Sequence, residues 1–533
     1  MQSLLISYGK RILDWNTTFW SSLYDGSLIG GLFRLLKDFY RNSLTWRLFN
    51  NDLTGNSFTY NLLHSWSDSV SSHLHLPARW IARQREIAFG ALGLLFIMTI
   101  LAFIKLPYQE AGVLLAAALI AVATFYRTEY GLYSAALLLP FVPQKALLCL
   151  ALLCLISMLW KMGQEAKPRF YLTPLFIPLL LLYLVMFYAT VTSVLFWDSV
   201  GEFVIPIIGL LFLLVIVNTI DSREKLEALL LCLVIAGLIT ACLALYQYYT
   251  GVVAIETNKA WVDVRENPTV MNRAYAVFDN PNLLAQFMIL ISMLSIGVFF
   301  NAEKVGYRVL CGATAVIASF CLLLTYSRGG WISFAGALLI LAAFKSKLLT
   351  SVFALAGVLL YSVLPMSITN RLATITSSKD TSNLYRLDTW SSTLEVIRAH
   401  WETGVGLGRK AFSRVFYTHM INSNTVPHSH NLYLQTISEF GILGLAVFCW
   451  LFIAVLRIGL KLSAAGKNWI RGVNAGLMGA FAGFFIHSTV DYFLWYYKLG
   501  IMLWLMVAIV IVLNKLDSNN RNVERNEQAA NAG

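Results

Sequence analysis

The chain has 533 residues, 58% of them hydrophobic and only 13% charged, with a net charge of +12. A soluble domain carries roughly 25% charged residues, so these charges cannot coat the three or four soluble domains this length would make, and the apolar excess rules out a disordered chain. A polytopic membrane protein remains, and Lys and Arg kept in cytoplasmic loops explain the positive charge without any nucleic-acid partner.

Residues 1–86 hold nine Lys/Arg against six acids and read as a cytoplasmic or interfacial segment. Within it, Gly31–Arg41 sets Leu32, Leu35, Leu36 and Phe39 at helical spacing between basic residues. That pattern suits a helix lying on an anionic lipid surface or one packed on the protein's own bundle. The start of the chain lacks the basic segment, apolar run and cleavage site of a signal peptide.

Apolar runs follow from residue 87, predicting spans near 87–106, 111–126, 130–142, 146–160, 172–196, 203–220, 227–249, 283–300, 306–324, 330–344, 348–365, 437–459, 473–490 and 494–514. A span needs ~20 apolar residues, and the second to fourth candidates are short. The expected fold is therefore all-α, a polytopic helical bundle of about 12–14 transmembrane helices in a domain over 87–514. The Asn-rich residues 515–533 read as a disordered cytoplasmic tail. Seven cysteines, all inside apolar runs and without C-x-x-C or Cys/His spacing, indicate neither a disulfide framework nor a zinc site.

Alternate loops collect the basic residues, among them Lys161, Lys167, Arg169, Arg223, Lys225, Lys304, Lys345, Lys347, Arg457, Lys461, Lys467 and Arg471. The positive-inside rule makes that side cytoplasmic. Two long segments then fall outside, 250–282 and 366–436, the second predicted to contain a helix over 383–401 that packs Leu384, Leu387, Leu394 and Ile397 onto the bundle.

The outer side holds polar groups that a membrane disfavours. Arg328 stands in the break Thr325–Trp331, Arg273 precedes Asp279–Leu284, and Arg371, Arg386, Arg398, Arg409 and Arg414 lie in the long outer loop. A guanidinium offers paired donors and a permanent charge to phosphate, while any one of them alone also suits a snorkelling role. Four of the eight histidines fall within 400–430, with His428 and His430 just ahead of a span. Histidines at i and i+2 share no helical face and no nearby carboxylate completes a metal triad, so no metal is expected. A neutral imidazole here suits a general base, or else a structural cap. Glu439, close to a predicted helix start, and Asp491, able to orient His487 or cap a loop, are held in reserve. Arginines and a base on a membrane's outer face suit a lipid-linked phosphorylated donor and a hydroxyl acceptor, and no P-loop is present for ATP.

His430-Asn431, then nine residues, then Gly441–Gly444 resemble the histidine-centred signature of the O-antigen ligase superfamily. Arg386–Trp390 and Thr403–Gly408 resemble that superfamily's long extracytoplasmic loop. The likeness covers roughly residues 90–514 and leaves 1–86 outside it. Asn280–Leu284, Ser327–Trp331 and the long N-terminal segment are similar to the branch labelled inorganic-carbon-transporter-like, which shares the ligase architecture. The spacing assigns the signature to His430 and not to His428, and the presence of that histidine favours a transferase.

The resemblance implies a GT-C-like fold and an inverting, metal-independent, cofactor-free glycosyl transfer at the bacterial cytoplasmic (inner) membrane, with the site facing outward. Its donor would be a glycan on undecaprenyl diphosphate, and its acceptor a hydroxyl of a lipid, glycan or protein. His430 would be the base, Arg273 and Arg328 would hold the diphosphate, and Arg386, Arg409, Asn431 and Asp491 are weaker candidates. Three alternatives stay open: a polysaccharide polymerase of the same superfamily, a transport-related protein for a small anion such as bicarbonate, and a non-catalytic export scaffold.

Overall fold

The computed structural model describes residues 107–164, 170–171, 173–251, 272–361, 369, 381–421 and 426–532. The amphipathic segment at 31–41, the span at 87–106 and Arg371 lie outside these residues. The described chain is all-helical. In order the helices are α1 (Tyr108–Tyr126), α2 (Thr128–Leu138), α3 (Gln144–Met162), α4 (Phe176–Val191), α5 (Phe196–Thr219), α6 (Arg223–Thr250), α7 (Pro281–Phe299), α8 (Val305–Leu324), α9 (Arg328–Lys345), α10 (Lys347–Tyr361), α11 (Thr381–His400), α12 (Arg409–His419), α13 (Leu432–Ala465), α14 (Asn468–His487) and α15 (Tyr497–Ala532).

Ten of these are long and apolar enough to cross a bilayer: α1, α3, α5 to α9 and α13 to α15. The chain is a multi-pass membrane protein. The spans expected at 130–142, 172–196 and 348–365 are not among the ten, because α2, α4 and α10 have 11, 16 and 15 residues. At 1.5 Å per residue α2 reaches only about half of a ~30 Å hydrocarbon core, and the other two also fall short of it.

The bundle is organised around α7, α14 and α15, whose apolar windows are 83%, 78% and 94% buried. The crossing of α7 and α14 depends on the absence of side chains. A Cβ on Gly297 would sit 2.7 Å from Gly476 Cα, with Gly472 one turn away also in contact. Small residues let helix backbones approach this closely where lipid gives no hydrophobic drive for association. Peripheral helices turn large apolar side chains outward instead, such as Leu119 on α1, Phe187 on α4 and Val316 on α8, as a lipid-facing surface requires.

The long outer loop contributes α11 and α12, which share a small core of Val396, Val405, Phe412, Val415, Phe416 and Val426. Helix α11 matches the segment predicted at 383–401, but its buried face is the other one. Leu384, Leu387 and Leu394 are exposed, whereas Thr389, Ser392, Thr393 and Val396 are buried. The hydroxyls make this possible: Thr389 Oγ1 donates to Tyr385 O (2.7 Å) and Thr393 Oγ1 to Thr389 O (2.6 Å), so neither is left unpaired in the interface.

The glycine-rich run Thr403–Gly408 fastens this loop to the bundle. Gly441 leaves helical geometry (φ 67°) and interrupts α13. The backbone groups freed there pair with the loop: Val405 N–H donates to Ser438 O (2.8 Å), Gly406 N–H to Glu439 O (3.3 Å) and Ile442 N–H to Trp401 O (2.8 Å). Contact is so close that a Cβ on Gly404 (φ 73°) would lie 2.4 Å from the Glu439 carbonyl. On the other flank Ser199 Oγ of α5 donates to Leu407 O (2.6 Å).

The tail differs from the disorder expected of 515–533, since α15 continues to Ala532. It has no Gly or Pro before that point to stop it, an Asp517–Arg521 pair one turn apart supports it, and Lys467 Nζ lies 3.3 Å from Glu524 Oε1.

Candidate functional site

Three helix N-termini meet on one side of the bundle, each fixed by a polar cap. Asn280 Oδ1 accepts from the N–H groups of Asn282 and Leu283 at the start of α7, where Pro281 supplies a preset φ. Ser327 Oγ accepts from Gly330 N–H at the start of α9 (3.3 Å), and Asn431 Oδ1 from Tyr433 and Leu434 N–H at the start of α13 (2.9 and 3.0 Å). Among the described residues, the non-glycine residues at positive φ are Ala276, Tyr326 and His430 (51°, 50° and 50°), one in each loop entering these helices. Left-handed backbone costs an L-residue about 1–2 kcal/mol, and such strain concentrates at functional sites.

His430 stands at the centre. Its Nδ1 lies 3.2 Å from Asp491 Oδ1, and its ring is half-buried between His428 (centroids 4.2 Å apart) and the edge of Tyr385 (5.8 Å). The two partners, 61 positions apart, are brought together where the α13 start is tied to the loop after α14. Leu432 N–H donates to Ser488 O (2.8 Å) and Asn431 Nδ2 to Thr489 O (2.9 Å).

Asp491 is buried. Burial alone would raise its carboxyl pKa, but the hydrogen bond from His430, the nearby imidazoles and Arg386 outweigh it and hold the group ionised, well below the usual range. Its oxygens have further donors: Tyr492 N–H to Oδ1 (2.9 Å) and Asn282 Nδ2 to Oδ2 (3.1 Å). In its neutral form, with Nδ1–H donated to Asp491, the His430 ring offers its Nε2 lone pair as a base.

His428 is buried and its pKa is pushed down to about 3 by burial and then by the neighbouring charge of His430, against an opposing pull from Asp491. Neutral, it accepts the His430 backbone N–H on Nδ1 (3.2 Å) and packs against Tyr492 and Trp495.

The arginines surround this group unevenly. Arg273 is buried, donating from Nε to Thr325 O (2.7 Å) and from Nη2 to Asn282 Oδ1 (3.2 Å), so it connects to Asp491 through one side chain. Arg328 is the first residue of α9, buried, with Nη2 3.4 Å from Asn383 Oδ1 on α11. One turn along α11, Arg386 donates to Ser382 Oγ (3.2 Å) and lies within electrostatic reach of Asp491 and His487. Arg409 has its guanidinium 3.9 Å from the Trp495 ring centre and 3.9 Å from Glu202, within electrostatic reach of His428. Asn431 is engaged at both ends by its cap and by Thr489.

Three sequence readings are corrected. Asp491 pairs with His430 and not with His487, whose Nδ1 is 2.9 Å from Gln286 Oε1 and whose Nε2 is 3.4 Å from Ser327 Oγ. Glu439 lies beyond the first turn of α13, where the dipole no longer acts, and is fully buried against Gln435 Nε2 (2.8 Å) and the Tyr492 hydroxyl. A carboxylate does complete a possible metal set: donor atoms of His428, His430 and Asp491 all lie within 4.8 Å of one another. Both Asp491 oxygens and His428 Nδ1 already have hydrogen-bond partners, which favours a base with its orienting acid over a cation cage. Sequence reasoning missed Asn282, Gln286 and Tyr385 as members of the site, although Asn282 lies inside the quoted Asn280–Leu284 run.

No curated protein matches the chain. Residues 313–449 match the family model described as O-antigen ligase. The matched stretch holds Arg328, Arg386, Arg409 and His430, and it supports a ligase- or polymerase-type role in membrane polysaccharide biosynthesis, with glycosyl transfer as the general chemistry.

Proposed function

We propose that the protein is an inverting glycosyltransferase of the outer face of a bacterial inner membrane, moving a glycan from undecaprenyl diphosphate to an acceptor hydroxyl. The observation that carries this reading is the His430–Asp491 pair beside two buried arginines, Arg273 and Arg328, where three helix N-termini meet. Basic residues gathered in the opposite loops orient this site outward. ATP is absent there, so the donor has to bring its own leaving group, and a lipid diphosphate does so.

In this mechanism His430 Nε2 removes the acceptor's hydroxyl proton as its oxygen attacks the anomeric carbon. The bond from that carbon to the diphosphate oxygen breaks, its electron pair leaves with the diphosphate, and the anomeric centre inverts. Asp491 holds the ring's tautomer and stabilises the imidazolium formed. Arg273, Arg328 and the helix N-termini meet charge growing on the departing diphosphate. The products are the glycosylated acceptor and undecaprenyl diphosphate, and no step calls for a metal. Whether the acceptor hydroxyl belongs to a lipid, a protein or a growing glycan separates ligase from polymerase.

The test is the surface-glycan profile of a deletion strain carrying wild type or His430→Ala at matched expression. Wild type is expected to restore the glycan, with His430→Ala leaving it on the undecaprenyl carrier. Equal restoration by both would remove His430 from the chemistry. A profile unchanged by deletion, together with labelled bicarbonate uptake that depends on the gene, would replace the transferase reading with transport.

A further inference from the structure

Asn282 lies between the two halves of the proposed chemistry. It is the second residue of α7, its backbone N–H held by the Asn280 side chain (2.9 Å). Its Oδ1 accepts from Arg273 Nη2 (3.2 Å), and its Nδ2 donates to Asp491 Oδ2 (3.1 Å). A guanidinium only donates and an ionised carboxylate only accepts, so the amide fits between them in one orientation. Asp491 is thereby restrained at both oxygens, with Oδ2 on Asn282 and Oδ1 on His430 Nδ1 and its own neighbour's N–H. Neither natural near-isostere satisfies both sides. Aspartate would set a second carboxylate against Asp491, and leucine would leave the guanidinium and the carboxylate without this partner.

We propose that Asn282 is a positioning residue that couples Arg273, on the leaving-group side, to the Asp491–His430 pair on the acceptor side. The path runs Thr325 carbonyl, Arg273, Asn282, Asp491, His430, and joins the loop entering α9, the start of α7, the loop after α14 and the loop entering α13. The inference rests on the transferase reading for its meaning, but the coupling itself is a property of the side chains. Arg273 holds the amide in the orientation that keeps Asp491 turned to the base, so losing Arg273 would disturb the base as well as the donor site.

The test uses the full chain in lipid nanodiscs, as wild type, Asn282→Ala, Asn282→Asp, Asp491→Asn and the Asn282→Ala/Asp491→Asn double variant. One readout is transfer from a polyprenyl-diphosphate glycan, with kcat and donor KM separated. A second is the pH dependence of His430 modification by diethyl pyrocarbonate, followed by mass spectrometry, which needs no turnover. Asn282→Ala is expected to lower kcat about 10- to 100-fold with donor KM changed by less than ~3-fold, and to add less than ~3-fold on top of Asp491→Asn, because it acts through that residue. The midpoint of His430 modification should fall by about half a pH unit or more in Asn282→Ala, in the same direction as in Asp491→Asn. Losses that multiply in the double variant, or a midpoint that stays put or rises in Asn282→Ala, would overturn the coupling. If wild type transfers nothing, the transferase reading fails, while the modification arm still decides whether Asn282 positions the pair.

Discussion

Asp491 turns its carboxylate to His430, 61 residues back along the chain, and not to His487, four residues back on the end of α14. That choice separates two of the imidazoles on this side of the bundle, His430 and His487. One ring has an acid behind it and a partly exposed edge, and the other is held by Gln286 and Ser327 with neither.

Loss of the acid should therefore act on rate more than on folding. Asp491→Asn keeps the shape and removes the charge that stabilises the imidazolium, and general-base contributions of this kind are worth roughly 10²–10⁴. A drop of about that size in kcat is expected from initial rates in nanodiscs, with His430→Ala at least as low and His487→Gln well above both.

Chelation distinguishes a base from a cation cage. Extended dialysis against EDTA is expected to leave transfer unchanged, since Asp491 and His428 are engaged by hydrogen bonds. Activity lost to EDTA and restored by one divalent ion would make His428, His430 and Asp491 ligands instead.

The arginines should differ in kind. Removing a fixed donor to developing charge costs ~2.7–4 kcal/mol, or about 10²–10³ in rate. Arg273→Lys and Arg328→Lys are both expected to lose about that much, because an ammonium cannot reproduce the two-sided contacts of a guanidinium. Arg409→Lys, which replaces a guanidinium lying over Trp495 and beside Glu202, should lose less than ~10-fold. Parallel kinetics on the three variants give the comparison.

Acid should weaken the fold through His428. Its folded pKa of about 3 lies below the ordinary 6.5, so the unfolded chain binds more protons between those values. Stability contributed by the neutral ring is full above pH 6.5 and is lost as pH falls towards 3. Asp491, also depressed, adds a loss only below its ordinary 3.8. Melting temperature in detergent should fall across that window, reporting a stability loss on the order of a few kcal/mol. His428→Gln should flatten the upper part of the curve.

Much of the fold was legible because apolar runs of span length have one physical reading. The runs at 283–300 and 306–324 begin and end within two residues of α7 and α8. Face assignment on α11 failed for a local reason. Leucines usually mark the buried side of a helix, but here self-bonded threonines let the small-residue side pack closely. The site was half legible. His430, Arg273 and Arg328 stand out as polar residues beside membrane spans, and the structure brings Arg273 to the His430–Asp491 pair through Asn282. The Asp491 partner was not, because pairing across 61 residues depends on how the α13 start meets the loop after α14, which no spacing rule encodes. Asn282 was hidden by its role, since an asparagine beside a helix-starting proline already has an ordinary explanation.

The convergence of α7, α9 and α13 carries one further consequence. Each N-terminus places roughly half a positive charge where backbone amides end, about 1.5 charges in sum. That field is written into the main chain and no side-chain substitution erases it. A variant with Arg273, Arg328 and Arg386 all neutralised would still be a weak anion trap, most evident at low ionic strength. On the proposed transferase reading, sugar and acceptor preferences would change through side chains while the preference for a negatively charged leaving group stayed with the backbone.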